Sequence, residues 1–262
     1  MVRMIEFKPG FPSFLWRIME NILAVDHLSK SFGRLKAVNN LSFEVRKGEI
    51  LGMMGPNGAG KTTVFNLLTG VLQPDAGVIL FRERDITKDS PSKRCHHGIG
   101  RTYQIPRPFD KMTVFENLLV AAVHGGSMTE KEGREEVYDI LKLIGLYETR
   151  DRVAGGLPLL NRKKLELGRA LATQPSLILL DEIAGGLTEK EAEEVLHIVQ
   201  QISERNITIV WIEHILMLMT KGAHRLLVIS EGRWLQCGRP DEVMRSSEVL
   251  ECYLGRRKSS GT

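Results

Sequence analysis

Cysteine is scarce in this chain: Cys95, Cys237 and Cys252 are three among 262 residues, and no two share a CxxC spacing. That argues against a disulfide framework and a cysteine-based zinc site, and it fits a reducing cytosol. Long hydrophobic runs are missing too. The longest, Leu177–Leu180 and Ile207–Ile212 with Thr208 inside it, fall far short of the ~20 residues that span a bilayer, so membrane association is expected mainly through a partner. Neither sign of charge dominates: 36 Lys and Arg stand against 32 Asp and Glu, a net charge of +4. A mildly basic chain suits a polyphosphate ligand as well as nucleic acid, and the motifs of nucleic-acid readers are absent, so no nucleic-acid partner is expected. No internal repeat or low-complexity tract is present beyond the polar tail, 255–262. Cys95-His96-His97 reads as a solvated face, because adjacent positions on one short element rarely converge on a single ion.

What the chain does have is a phosphate cradle. Gly55-Pro56-Asn57-Gly58-Ala59-Gly60-Lys61-Thr62-Thr63 matches GxxxxGK[ST] directly after the apolar run Ile50–Met54. In this pattern glycines let backbone N–H groups turn toward phosphates, the lysine reaches the β- and γ-oxygens, and the next hydroxyl is placed on Mg²⁺. Lys61 and Thr62 take those places, and a helix starting near Gly60 adds its positive end. A nucleoside triphosphate ligand follows. A second motif supports it: the apolar strand Leu177–Leu180 ends in Asp181-Glu182, which brings carboxylates out at the strand edge where the P-loop also opens. Asp181 is read as holding Mg²⁺, and Glu182 as orienting or deprotonating the attacking water.

Periodicity places strands near 21–27, 40–46, 49–54 and 77–83 around the P-loop helix at 60–69. From 113 to 144 the spacing of Val114, Leu118, Leu119 and Ala122, then Val137, Ile140, Leu141 and Ile144, is helical, with a break at Gly125-Gly126-Ser127. A helix near 161–173, strand 176–181, helix 188–204, strand 207–212, a helix near 214–220 and a hairpin around Glu231-Gly232 complete the pattern. Ahead of all this, residues 1–18 read as an N-terminal extension, since Met19 opens what looks like a natural first strand. Its apolar Phe11, Phe14, Leu15, Trp16 and Ile18 lack the h-region and cleavage site of a signal peptide. A surface tail and packing on a membrane or membrane partner both stay open.

With both nucleotide motifs in place, the chain resembles the nucleotide-binding subunits of ABC transporters over about residues 21–254. The resemblance implies an α/β fold of the P-loop NTPase, ABC type: a RecA-like core (19–104 and 174–254) with an antiparallel β subdomain, and an inserted helical subdomain (105–173). It also implies ATP and Mg²⁺ as ligands and adds three site residues. Phe32, in Leu28-Ser29-Lys30-Ser31-Phe32-Gly33, matches the aromatic that stacks on adenine. Gln104, in Gly100-Arg101-Thr102-Tyr103-Gln104, matches the glutamine that senses Mg²⁺. His214, in Trp211-Ile212-Glu213-His214, matches the switch histidine at the γ-phosphate. The wording of Gly100–Phe109, Met112–Asn117, Arg169–Pro175, Glu231-Gly232-Arg233 and Gly238-Arg239-Pro240 looks like the ATPases of branched-chain amino acid importers. The implied partners are transmembrane permease subunits, a second ATPase subunit and a periplasmic or extracellular substrate-binding protein. The implied location is peripheral, on the cytoplasmic face of the inner or plasma membrane. A soluble ABC-type ATPase acting as a nucleotide-dependent assembly switch with little turnover is the alternative.

One segment departs from the family pattern. Where the signature LSGGQ belongs, the chain reads Leu157-Pro158-Leu159-Leu160-Asn161. Pro158 offers neither hydroxyl nor N–H, and two leucines crowd an approach that glycines leave open. The helix dipole remains, and Arg162, Lys163 and Lys164 are expected to substitute in part for the lost donors. Ile183 stands where Pro is usual, and Thr188 where the dimer-contacting loop often has Asp or Asn. In such a dimer each ATP lies between one subunit's P-loop and the other's signature, so the expectation is a heterodimer in which Lys61, Glu182 and His214 face an intact signature. A homodimer is the alternative.

Overall fold

The computed structural model describes residues 21–254; the readings of the extension 1–18 and of the tail 255–262 fall outside the described residues. Two sheets of different kind organise the chain. Strands β1 (Asn21–Phe32), β2 (Leu35–Arg46), β4 (Ala76–Phe81) and β5 (Arg84–Asp85) pair antiparallel in the order β2-β1-β4-β5. The first two run well past the predicted 21–27 and 40–46, up to a hairpin tip between Phe32 and Leu35. Register shifts at Val25/Leu28 and Leu28/Lys30, with His27 and Asn40 at positive φ, interrupt the two-residue alternation there. A bulged strand therefore reads as loop in sequence.

The second sheet has the order β10-β9-β3-β8-β7-β6. It comprises β3 (Ile50–Met54), β6 (Ile99–Arg101), β7 (Leu177–Asp181), β8 (Thr208–Ile212), β9 (Arg225–Ser230) and β10 (Arg233–Gly238). All neighbours are parallel except the closing hairpin β9–β10. Every residue of β3, β7 and β8 is buried, as expected for parallel strands covered on both faces. Alternate side chains serve different cores. Leu51, Met53, Leu179, Val210 and Ile212 join α1 (Lys61–Leu68) and the antiparallel sheet. Met54, Ile178, Leu180, Ile209 and Trp211 join α6 (Glu189–Glu204) and α7 (Leu216–Gly222) on the other face.

The remaining helices are α2 (Pro91–His96), α3 (Val114–Val120), which runs on as a π-helical turn over Ala121–Gly125, α4 (Glu130–Leu143), α5 (Leu159–Ala172), α8 (Pro240–Val243) and α9 (Ser247–Leu254). Thr113/Glu116, Thr129/Glu132 and Thr188/Glu191 form capping boxes that start α3, α4 and α6, each satisfying two backbone donors. Thr188 thus serves as a helix cap. The short elements α2 and β6 were not expected, because six and three residues are too few to show a period. Cys95 and His96 lie on α2, and among the described residues no cluster of His, Cys, Asp or Glu is suited to a metal ion. No helix among them is long and apolar enough to cross a membrane.

Candidate nucleotide site

The P-loop connects β3 to α1 at the carboxyl edge of the parallel sheet. Its glycines are needed for close approach. A Cβ on Gly55 would lie 2.1 Å from the Ile229 carbonyl oxygen, and one on Gly60 (φ +101) would lie 2.2 Å from that of Ala37. Gly58 (φ +80) faces open space instead. Lys61 is buried, and its ammonium is folded back on the loop, donating to Gly55 O at 2.7 Å and Pro56 O at 3.1 Å. Burial lowers its pKa, against the pull of Glu182 and Asp181. Phe32, at the hairpin tip, is 48% exposed. It does not pack in the core, and β2 brings the hairpin to the P-loop through Ala37.

The acidic residues converge on the same edge. Asp181 ends β7, with Oδ2 2.9 Å from Arg101 Nη2, and its pKa is raised by burial while Arg101 opposes the shift. Glu182 has both oxygens engaged: Oε1 lies 2.7 Å from His214 Nε2, and Oε2 accepts from Gln104 Nε2 at 2.7 Å. Its backbone is left-handed, φ 47, a conformation that costs a non-glycine residue roughly 1–2 kcal/mol. The Glu182 carbonyl accepts from Gly185 N at 3.1 Å and Lys163 Nζ at 3.2 Å. Thr62 and Thr63 lie in the first turn of α1, directly after the loop that holds Pro56, Asn57 and Ala59. Thr62, Asp181 and Gln104 carry a hydroxyl, a carboxylate and an amide oxygen, the all-oxygen chemistry that suits Mg²⁺.

Residues 38–185 match the ABC transporter family. Salmonella typhimurium has a relative described as "High-affinity branched-chain amino acid transport ATP-binding protein LivG", 38% identical over 249 residues, covering 89% of this chain and 98% of the relative. A "Probable branched-chain amino acid transport ATP-binding protein LivG" of Methanocaldococcus jannaschii is 35% identical, with 89% and 97% covered. A solved ATP-binding cassette of an ABC transporter in its ADP conformation superposes with a TM-score of 0.81 at 33% identity, covering 90% of this chain and 99% of that one. The chain belongs to the ABC transporter family.

Within this ABC cassette the variant signature has a definite shape. Helix α5 starts at Leu159 behind Pro158, and among the described residues no side chain caps it. Leu159 is 45% exposed, beside Gly186. The expectation that nearby cations stand in for the missing donors is corrected for the two lysines. Lys163 is buried and donates to Gln104 O and Glu182 O, and Lys164 is buried and donates to Glu194. Arg162 is tied to Asp110 and the Gly155 carbonyl. Each cation satisfies its own subunit, because a charge on a packed helix face finds internal acceptors before solvent.

Three residues of the cassette were not singled out by the sequence reading. Arg101 clasps Asp181 and the α1 residue Asn66, with Tyr103 and Phe65 rings against its guanidinium. Glu213, buried beside His214, accepts from Ala184 N at 2.8 Å and His214 N at 3.2 Å. It therefore joins the loops after β7 and β8, and burial raises its pKa. Arg94 donates to the carbonyls of Leu67, Leu68, Thr87 and Asp89, and so caps the far end of α1. The available signal was a charge inside an otherwise short or apolar element, which only tertiary contacts resolve.

Proposed function

We propose that this chain is the ATP-binding and ATP-hydrolysing subunit of an ABC importer for branched-chain amino acids. The observation that carries the reading is the convergence of the P-loop with Asp181, Glu182, Gln104 and His214 on one sheet edge, with Gln104 and His214 both bonded to Glu182. Catalysis of this kind is positioning and electrostatics around the γ-phosphate. The N–H groups of residues 55–63 cradle the phosphates, Lys61 turns from its loop carbonyls to the β- and γ-oxygens, and Phe32 stacks on adenine. Thr62, Asp181 and Gln104 would hold Mg²⁺, which when bound neutralises phosphate charge. Glu182 orients the attacking water and takes its proton, and His214 contacts the γ-phosphate. The amino-acid substrate rests on the relatives, since this subunit does not meet the solute.

The partners follow from the same reading: permease subunits in the membrane, a second ATPase subunit and an external substrate-binding protein, with this chain held peripherally at the cytoplasmic face. A groove of about 370 Å³ between α2, β6 and α5, lined by Val71, Cys95, Tyr103, Ala121, Glu166 and Arg169, is the place for a permease helix to dock. A heterodimer is favoured by the uncapped α5 start and the exposed Leu159. The test is Mg·ATP binding and turnover by the assembled transporter beside its Glu182→Gln variant. The variant is expected to bind ATP and lose about 10²-fold or more in turnover. Turnover retained by Glu182→Gln would refute the assignment.

A further inference from the structure

We propose that Lys163 is a positioning residue that ties this chain's catalytic Glu182 to the signature helix facing the other ATP, so that each composite site reports on its neighbour. The inference rests on the two-subunit reading above. Lys163 lies one turn into α5 and is 4% exposed. A buried ammonium ordinarily sits on a carboxylate. This one donates to two backbone carbonyls, Gln104 O at 2.7 Å and Glu182 O at 3.2 Å. Glu213, Glu182, Glu166 and Asp181 surround it electrostatically, but none of them makes an ion pair with it among the described residues.

The two carbonyls belong to the loops that carry the reacting side chains. At φ 47 the Glu182 peptide is fixed in an unusual direction, and among the described residues only Gly185 N and Lys163 hold its oxygen. The direction of that carbonyl and the aim of the Glu182 carboxylate are set by the same backbone, so releasing one releases the other. The start of α5 at Leu159 is the end presented to the partner's nucleotide, four residues and about 6 Å of helix rise from Lys163. A shift of α5 on closing the sandwich therefore moves the ammonium against Gln104 and Glu182 together. Arg162 and Lys164 make no such link: their bonds go to Asp110, Gly155 and Glu194.

The test uses the assembled transporter with Lys163→Met and Lys163→Arg. Mant-ATP binding is measured on the purified chain, and steady-state hydrolysis across ATP concentration on the complex. Lys163→Met is expected to lower kcat at least about tenfold while leaving mant-ATP affinity within about twofold, a loss confined to the transition state. Its Hill coefficient is expected to fall toward about one, and Lys163→Arg, which keeps the donors, to recover most of kcat. An unchanged kcat and Hill coefficient in Lys163→Met beside an active wild type would overturn the inference alone. So would parallel losses of affinity, melting temperature and kcat that Lys163→Arg does not rescue. A wild-type chain that binds no mant-ATP, in a complex that hydrolyses no ATP, would remove the functional reading, and the inference with it.

Discussion

Restoring the signature is the perturbation that separates the two ways this cassette can dimerise. The start of α5 has no side-chain cap, Pro158 at that position has no N–H, and Leu159 covers the approach with 45% of its surface exposed. Pro158→Ser with Leu159→Gly and Leu160→Gly adds a hydroxyl and uncovers backbone N–H groups. Each new hydrogen bond to a charged phosphate contributes about 1.5–3 kcal/mol, and two of them multiply the ATP-dependent association constant by about 10²–10⁴ for each composite site. The change inside the helix is small. Two glycines cost about 0.5–1 kcal/mol each, and the serine cap returns about 1 kcal/mol. The assay is light scattering with and without Mg·ATP across protein concentration, in a Glu182→Gln background that traps the sandwich. The natural signature should stay monomeric where the restored one dimerises. Equal dimerisation by both would refute the reasoning, and the homodimer would then suffice.

Arg94 is the next target. It is 1% exposed and serves four carbonyl oxygens, so Arg94→Leu should destabilise the fold by about 3–5 kcal/mol. For a chain of this size that lowers the melting temperature by roughly 6–20 °C, and a calorimetric shift under about 2 °C would show that α1 does not need this cap. Phe32→Ala should weaken ATP binding by about 1 kcal/mol, near fivefold in Kd by equilibrium fluorescence, if its ring stacks on adenine; an unchanged Kd would remove it from the site. The Glu132 carboxyl is held below the usual glutamate range by the hydroxyl and N–H of Thr129. A depressed carboxylate contributes stability that is fully present above its unfolded pKa and is lost as pH falls through the lowered value. Denaturant midpoints measured from pH 6 to pH 3 should therefore fall less in Glu132→Gln than in the wild type, and an identical slope would count against the capping box.

The parts of the fold legible in sequence were those whose residues act on near neighbours. β3, β7 and β8 are five-residue strands buried throughout, and their apolar runs mark them directly. The P-loop follows its strand without a gap, and the helical spacing over 113–144 and 188–204 marks α3, α4 and α6, whose Thr-x-x-Glu boxes went unread. What escaped depends on distance in the chain. β6 is a strand only because Ile99, Gly100 and Arg101 pair with Leu177, Ile178 and Leu179. Lys163 looked like a donor for a partner's phosphate, yet its ammonium finds Gln104 and Glu182, 59 and 19 positions away. A sequence shows that a cation stands on a helix. Which way it turns is decided by the carbonyls that the other loops bring to it.

The resting geometry also constrains where binding energy comes from. Lys61 already donates to Gly55 O and Pro56 O, and Gln104 and His214 already hold both oxygens of Glu182. An arriving γ-phosphate therefore exchanges hydrogen bonds at these groups, and an exchange is worth far less than the gross strength of a new bond. Net affinity then has to come largely from other groups, such as the exposed ring of Phe32, since even the loop N–H of Ala59 is already given to Pro56 O. Glu182 is different. On the proposed reading Gln104 and His214 aim its carboxylate, one bond to each oxygen, and each oxygen keeps a lone pair for the proton of the attacking water. If the proposed roles hold, nucleotide binding and the aim of Glu182 are coupled, because a γ-phosphate that drew Gln104 or His214 toward itself would loosen the carboxylate they hold.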